Sequence, residues 1–307
     1  MKNSIEQLNG FEAYLKERII GQDGAITRAI DAFENGALGL SDPEKPLANL
    51  LFLGPTGVGK TELTLAVGRF LFEEEKVFRF DMSEYMHEDA IQILLGSGKD
   101  DAGKLGTVLE SHSTGILLFD EIEKANHRIF DLFLQILGSA RISLTNHKTY
   151  DLSKFFVVCT SNIGSDVLVD VRNPSEVRME RAVFSRLADY FRPELIGRFD
   201  EKIVFMPLST ESLRTIARIN IDNVIDHYAK KYGYQLKVDP SAVEFLVRNG
   251  CNPRFGARPM KQAVLKHIAN AVRLALRESS SPNGVIEVRE DSSKLVIKPT
   301  RKLELTI

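Results

Sequence analysis

Two cysteines, Cys159 and Cys251, are all that the 307-residue chain carries, too few for a disulfide framework. Cys159 sits in the apolar run FFVVCT, where a buried thiol is expected. No stretch of about 18 consecutive apolar residues occurs, which argues against a membrane span. The opening residues MKNSIEQLNGFEAYLKERIIGQ lack the apolar core of a secretory signal, so a cytoplasmic protein is expected. The six histidines fall at no metal-ligand spacing with cysteines or with one another, which argues against a structural metal. Net charge is also small: a formal −2 argues against coating nucleic acid and leaves only a local basic patch for such contacts. What is present, 43% hydrophobic and 27% charged residues, is the composition of a soluble globular chain long enough for a large domain and a small one.

Apolar runs alternate with helical patterns along the first two thirds. LANLLFLG (47–54), KVFRFD (76–81), GILLFDE (115–121), SKFFVVCTSN (153–162) and IVFMPL (203–208) read as strands, with TELTLAVGRFLFEEE (61–75) a helix between the first two. This alternation predicts an α/β fold with a parallel sheet sandwiched by helices. Past residue 208 the pattern changes to a helix with an imperfect capping box at Ser209 or Thr210, a second helix stopping at Gly250, a third over about 258–277, and a terminal strand pair in VIEVRE and KLVIKP. The expected domains are 1–207 and a small α+β domain, 208–307.

GPTGVGKT carries the strongest chemistry. Its glycines let successive N–H groups turn toward phosphates, Lys60 reaches the terminal ones, and the Thr61 hydroxyl can ligate magnesium. The binding set runs through Gly54, Pro55, Thr56, Gly57, Val58, Gly59, Lys60, Thr61 and Glu62, with ATP and Mg2+ as cofactors. GILLFDEIEK ends a buried strand in Asp120, near the metal, and Glu121, which can activate the attacking water. Asn162, at the end of FFVVCTSN, can hold that water through its amide. Arg198, after a proline-initiated turn, and Arg258, at a helix start, can present guanidinium forks to phosphate. GSGKD (96–100) fails as a second phosphate loop, because Asp100 and Asp101 stand where a hydroxyl is wanted and would repel the anion; the segment reads as flexible and acidic.

These residues in this order resemble an AAA+ P-loop ATPase, and RIIGQDGAI, GLSDPEKP, LFLGPTGVGKTEL, RFDMSEYM, LLFDEIEKA, LQILGSARI, TSNIGS, FRPELIGRFDEKIVF and NPRFGARPMK are similar to the second ATPase module of the Clp ring unfoldases, the ClpA/ClpB type. The resemblance implies that Ile19 and Ile20 contact adenine, that Asn162 is sensor 1, that Arg198 is the finger reaching a neighbour's nucleotide, that Arg258 is sensor 2, and that 208–307 is a lid domain. It also implies a homo-oligomer, a hexameric ring or a filament, acting on a protein client or regulatory partner. The family's threading loop carries a GYVG-type aromatic; here only SGKDD lies between LLG and AGKL, shorter and without the aromatic. An ATPase that remodels a specific protein partner without general threading is therefore the expected function. A nucleotide-switched assembly scaffold with slow hydrolysis is the alternative. A nucleic-acid motor or loader is a third, weakened because Asp100 and Asp101 cancel Lys99 and Lys104.

Overall fold

The computed structural model describes residues 1–72, 76–170, 175–251, 256–278, 283–288 and 294–298. By internal contacts the chain divides into two compact units, 1–55 with 59–207, and 56–58 with 208–307. The strands are β1 (Ala48–Leu53), β2 (Val77–Asp81), β3 (Gly115–Asp120), β4 (Arg141–Ser143), β5 (Thr149–Asp151), β6 (Phe155–Ser161), β7 (Glu201–Val204), β8 (Leu236–Val238), β9 (Gly284–Val288) and β10 (Leu295–Lys298).

In the first unit a parallel sheet runs in the order β2-β3-β6-β1-β7. Every residue of β1, β3 and β6 is buried, as strands covered on both faces must be. Alternate side chains divide between the faces. Leu51, Leu53, Leu117, Phe119, Val157 and Cys159 meet Ile129, Phe133 and Ile136 of helix His127–Ser139. On the opposite face Phe156 of β6 packs against Phe33 of helix Asp23–Ala37, ring centroids 5.2 Å apart. Each fully buried Leu or Phe contributes about 1.5–3 kcal/mol before conformational entropy is subtracted. The sandwich forces one close approach: a Cβ on Gly36 would lie 2.7 Å from the Leu47 carbonyl oxygen and 2.6 Å from the Phe156 ring. Gly36→Ala should lower stability by about 2 kcal/mol, since overpacking against backbone outweighs the helix-propensity gain of roughly 1 kcal/mol. A urea midpoint equal to the wild type would show that the helix can shift at no cost.

The last parallel strand is not where its apolar run suggests. Rather than 203–208 it spans Glu201–Val204, because Gln22 ends the ladder: its side chain donates to the Met206 carbonyl at 2.8 Å and accepts from the Met206 N–H at 3.1 Å. Phe205 still donates to the Leu53 carbonyl at 2.8 Å and packs on Phe52.

The segment read as flexible is a closed turn. It joins helices Glu88–Leu95 and Gly103–Ser111. The Asp101 carboxylate accepts from the Ser97 N–H (2.8 Å), the Ser97 hydroxyl (2.9 Å) and the Gly103 N–H (2.9 Å). Gly96 and Gly103 supply the positive φ values, 87° and 64°, that such a tight reversal needs. Three donors on one carboxylate hold it well below the usual carboxylate pKa, that from Gly103 first.

The second unit packs helices Thr210–Tyr232, Pro240–Gly250 and Met260–Glu278 around Ala217, Ile221, Leu246, Val264, Ile268 and Ile286. The Ser209 hydroxyl accepts from the Ser212 N–H at 3.0 Å, so the first of these helices is capped without a reciprocal acid. It closes at Gly233 in the left-handed region. The expected terminal strand pair forms, β9 antiparallel to β10, and the short run β8 adds a third strand parallel to β9.

Candidate active site

The loop after β1 has the geometry of an anion cradle. Gly54, Gly57 and Gly59 have φ values of 129°, 76° and 114°, and a Cβ on Gly54 would stand 2.3 Å from the Phe205 carbonyl oxygen. Only glycine fits there, so backbone lines the loop. Lys60 opens helix Lys60–Leu71 and is buried, 7% exposed. Its ammonium donates to the carbonyls of Gly54 (2.5 Å) and Pro55 (2.8 Å) and to Asn162 Oδ1 (3.1 Å). Burial pulls its pKa down to about 8, opposed by Glu123, Asp120 and Glu121. An ammonium held by neutral acceptors in a dry cradle is poised to exchange them for phosphate oxygens.

Next to the loop, at the carboxyl end of β3, stand the carboxylates. The Thr61 hydroxyl lies 3.4 and 3.3 Å from the two oxygens of Asp120, and the Thr160 hydroxyl donates to Asp120 Oδ1. This hard oxygen set suits a magnesium-like cation. Glu121 adopts φ 58°, ψ 49°, a strained left-handed conformation for a non-glycine residue. Its N–H donates to Thr160 Oγ1 at 3.1 Å. Its carboxylate accepts from Asn162 Nδ2 at 3.3 Å and from Lys124 Nζ. The Asn162 N–H in turn donates to Glu123 Oε1 at 3.1 Å. Lys60, Thr61, Asp120, Glu121 and Asn162 are thus brought together at one edge of the sheet.

Of the other sequence-derived candidates, Ile19 lies against the loop, and Glu62 and Arg198 lie apart from this cluster. Ile19 is 4% exposed, its Cγ2 3.3 Å from where a Gly59 Cβ would sit, and half-buried Ile20 follows it. Glu62 turns away to pair with Arg69. Arg198 is exposed at the amino edge of the sheet: its carbonyl accepts from Asn49 Nδ2 (3.4 Å), and Asp200 N donates to the Asn49 carbonyl. Asn49 and Leu53, where the phosphate loop begins, are four residues apart on β1, about 13 Å. The Arg198 guanidinium lies over helix His127–Ser139, where Gly138 leaves it room; a Cβ there would be 1.7 Å from Nη1. Arg258 is an exposed turn residue before Met260–Glu278, in the second unit. Thr160, which ties Asp120 to Glu121, and Glu123 were not anticipated. The signal for Thr160 was a hydroxyl two residues before Asn162 in an otherwise apolar strand.

Comparison with known proteins gives the family. The AAA domain (Cdc48 subfamily) matches residues 45–202, and the C-terminal D2-small domain of ClpB protein matches 208–288. The chain belongs to the Clp family of AAA+ ATPases. It is 36% identical over 307 residues to chaperone protein ClpB 1 of Synechococcus elongatus, covering 97% of this chain and 35% of that protein. Heat shock protein 100 of Trypanosoma brucei brucei is 36% identical over 97% of this chain and 36% of its own length. Mitochondrial chaperone protein ClpB3 of Oryza sativa subsp. japonica is 35% identical over 98% of this chain and 32% of its own. This AAA+ chain therefore spans about a third of the length of the relatives it matches. Among the described residues no helix is long and apolar enough to cross a membrane.

Proposed function

We propose that the chain hydrolyses ATP with magnesium as one copy in a homo-oligomeric ring or filament, and that turnover drives remodelling of a protein partner in the cytosol. Residues 1–207 serve as the nucleotide-binding body and 208–307 as its lid. The observation that carries this reading is the separation of two halves of one catalytic set across the sheet. The cradle, the base and the metal oxygens stand at the carboxyl edge, and Arg198 is exposed about 13 Å away at the amino edge. A second copy would supply the missing guanidinium.

Within one site Lys60 exchanges its three neutral acceptors for β- and γ-phosphate oxygens, and Ile19 and Ile20 bound the adenine side. Thr61 and Asp120 would hold magnesium, which when bound neutralises developing phosphate charge. Glu121 takes a proton from the attacking water, which the Asn162 amide orients. Arg258 contributes a second cationic contact from the lid. The chaperone names of the relatives support a protein as client. The Asp101-closed turn, with no aromatic and three donors pinning it, favours levering over a gripping loop. Lys104 pairs with Glu84 at 3.0 Å, which places another acid beside the basic residues that a nucleic-acid reading needs.

Steady turnover measured with electron microscopy of the assembly tests this. Magnesium- and ATP-dependent oligomers whose turnover rises several-fold with a protein captured by the Glu121→Gln variant are the expected result. A stable assembly with slow turnover unmoved by that protein would instead establish the nucleotide-switched scaffold.

A further inference from the structure

The register of β2 on β3 sets Asp81 directly opposite Asp120. Like charges side by side on neighbouring strands repel. Arg79 lies two residues before Asp81, on the same face of β2, and spans both acids. Its Nη2 is 2.6 Å from Asp120 Oδ2 and 3.9 Å from Asp81 Oδ2. The remaining oxygens are committed to fixed donors: Asp120 Oδ1 accepts from Thr160, and Asp81 Oδ1 accepts from the Ser83 N–H (3.0 Å) and hydroxyl (2.6 Å). Each carboxylate therefore turns its other oxygen to the same guanidinium, Asp120 Oδ2 sharing it with the Thr61 hydroxyl at 3.3 Å. The Arg79 side chain is 49% exposed, Asp120 only 8%, so the arginine can move where the acid cannot.

A cation seated between Thr61 and Asp120 would share Asp120 with that guanidinium, and two positive groups on one small buried anion repel strongly. We propose that Arg79 is a positioning residue for the metal: it holds Asp120 while no cation is present and transfers to Asp81 when one binds. The transfer rests on Thr61 and Asp120 being the magnesium site. Asp81 caps the turn Met82–Tyr85, and Glu84 of that turn pairs with Lys104 beyond the Asp101-closed turn. Occupancy of the metal site would thereby change the charge at the foot of the segment that stands in place of the family's threading loop.

The measurement is the magnesium concentration at half-effect, titrated into the full chain saturated with fluorescent ADP, with ADP affinity in chelator recorded separately. Arg79→Gln should lower the midpoint about three- to tenfold, because Asp120 loses its competitor. Asp81→Asn should raise it by a similar factor, since it keeps the Oδ1 cap but weakens the receiving charge. The double variant should match Arg79→Gln, and Arg79→Lys should stay near the wild type. A purely structural role would move both single variants the same way. That outcome, or no movement in either with ADP binding in chelator intact, overturns the proposal. If Arg79→Gln loses ADP binding in chelator, the direction of Asp81→Asn decides. An Asp120→Asn variant that keeps the full magnesium response would sink the metal-site reading itself, separately from the arginine.

Discussion

Glu121→Gln is expected to bind ATP as tightly as the wild type and to hydrolyse it about 10²–10⁴ times more slowly. The Glu121 carboxylate, beside the Asn162 amide at the end of β3, is placed to take a proton from water next to the γ-phosphate. Lys60 is cationic near neutral pH, and Asp120 is held by Thr160 and Arg79. The exchange is nearly isosteric. Glutamine keeps an oxygen to accept from Asn162 Nδ2, as Glu121 Oε1 does at 3.3 Å, and the backbone N–H still donates to Thr160. The strained left-handed turn is therefore retained, and what is lost is basicity together with the half-exposed ion pair to Lys124. Single-turnover hydrolysis and equilibrium binding of a fluorescent nucleotide separate the two effects. Loss of both together would mean that Glu121 shapes the site, and undiminished cleavage would remove it as the base. Such a variant should also stay assembled in ATP.

Much of this site was legible because its parts are local. A glycine loop between a buried strand and a helix, and an acidic pair ending a second buried strand, each carry their context within about ten residues. What escaped depends on register. Arg79 reads as an ordinary charge on a half-exposed strand until β2 is laid on β3 with Asp81 opposite Asp120. No periodicity in one segment can supply that pairing. The end of β7 escaped for a similar reason: Gln22, far off in sequence, takes the hydrogen bonds of Met206 that another strand pair would have made. β8 is three residues long, too short for alternation to stand out, and becomes a strand only by docking on β9. The turn around Asp101 looked loose because glycine and acid are common in mobile loops. Its order comes from one carboxylate accepting three hydrogen bonds, and composition does not encode that.

Arg198→Ala should leave nucleotide binding intact and cut turnover by about three to five orders of magnitude, the effect of removing an arginine finger. On the proposed function, its position makes the loss a property of the assembly. The residue lies at the amino edge of its own sheet with its guanidinium over Gly138, beyond reach of its own Lys60. Mixing is therefore the decisive measurement. A Lys60→Ala copy lacks the cradle ammonium but retains the arginine; an Arg198→Ala copy has the reverse. In a random equal mixture only an Arg198→Ala site facing a Lys60→Ala neighbour is complete, so recovery should reach at most about a quarter of wild-type turnover per site. Activity no greater than the sum of the separate variants, in assemblies shown to contain both, would place the arginine outside the neighbour's site. Arg198→Lys adds a test of chemistry: it restores charge without the planar fork, and should recover only a minor part of the rate if two-point contact with phosphate oxygens is what the residue supplies.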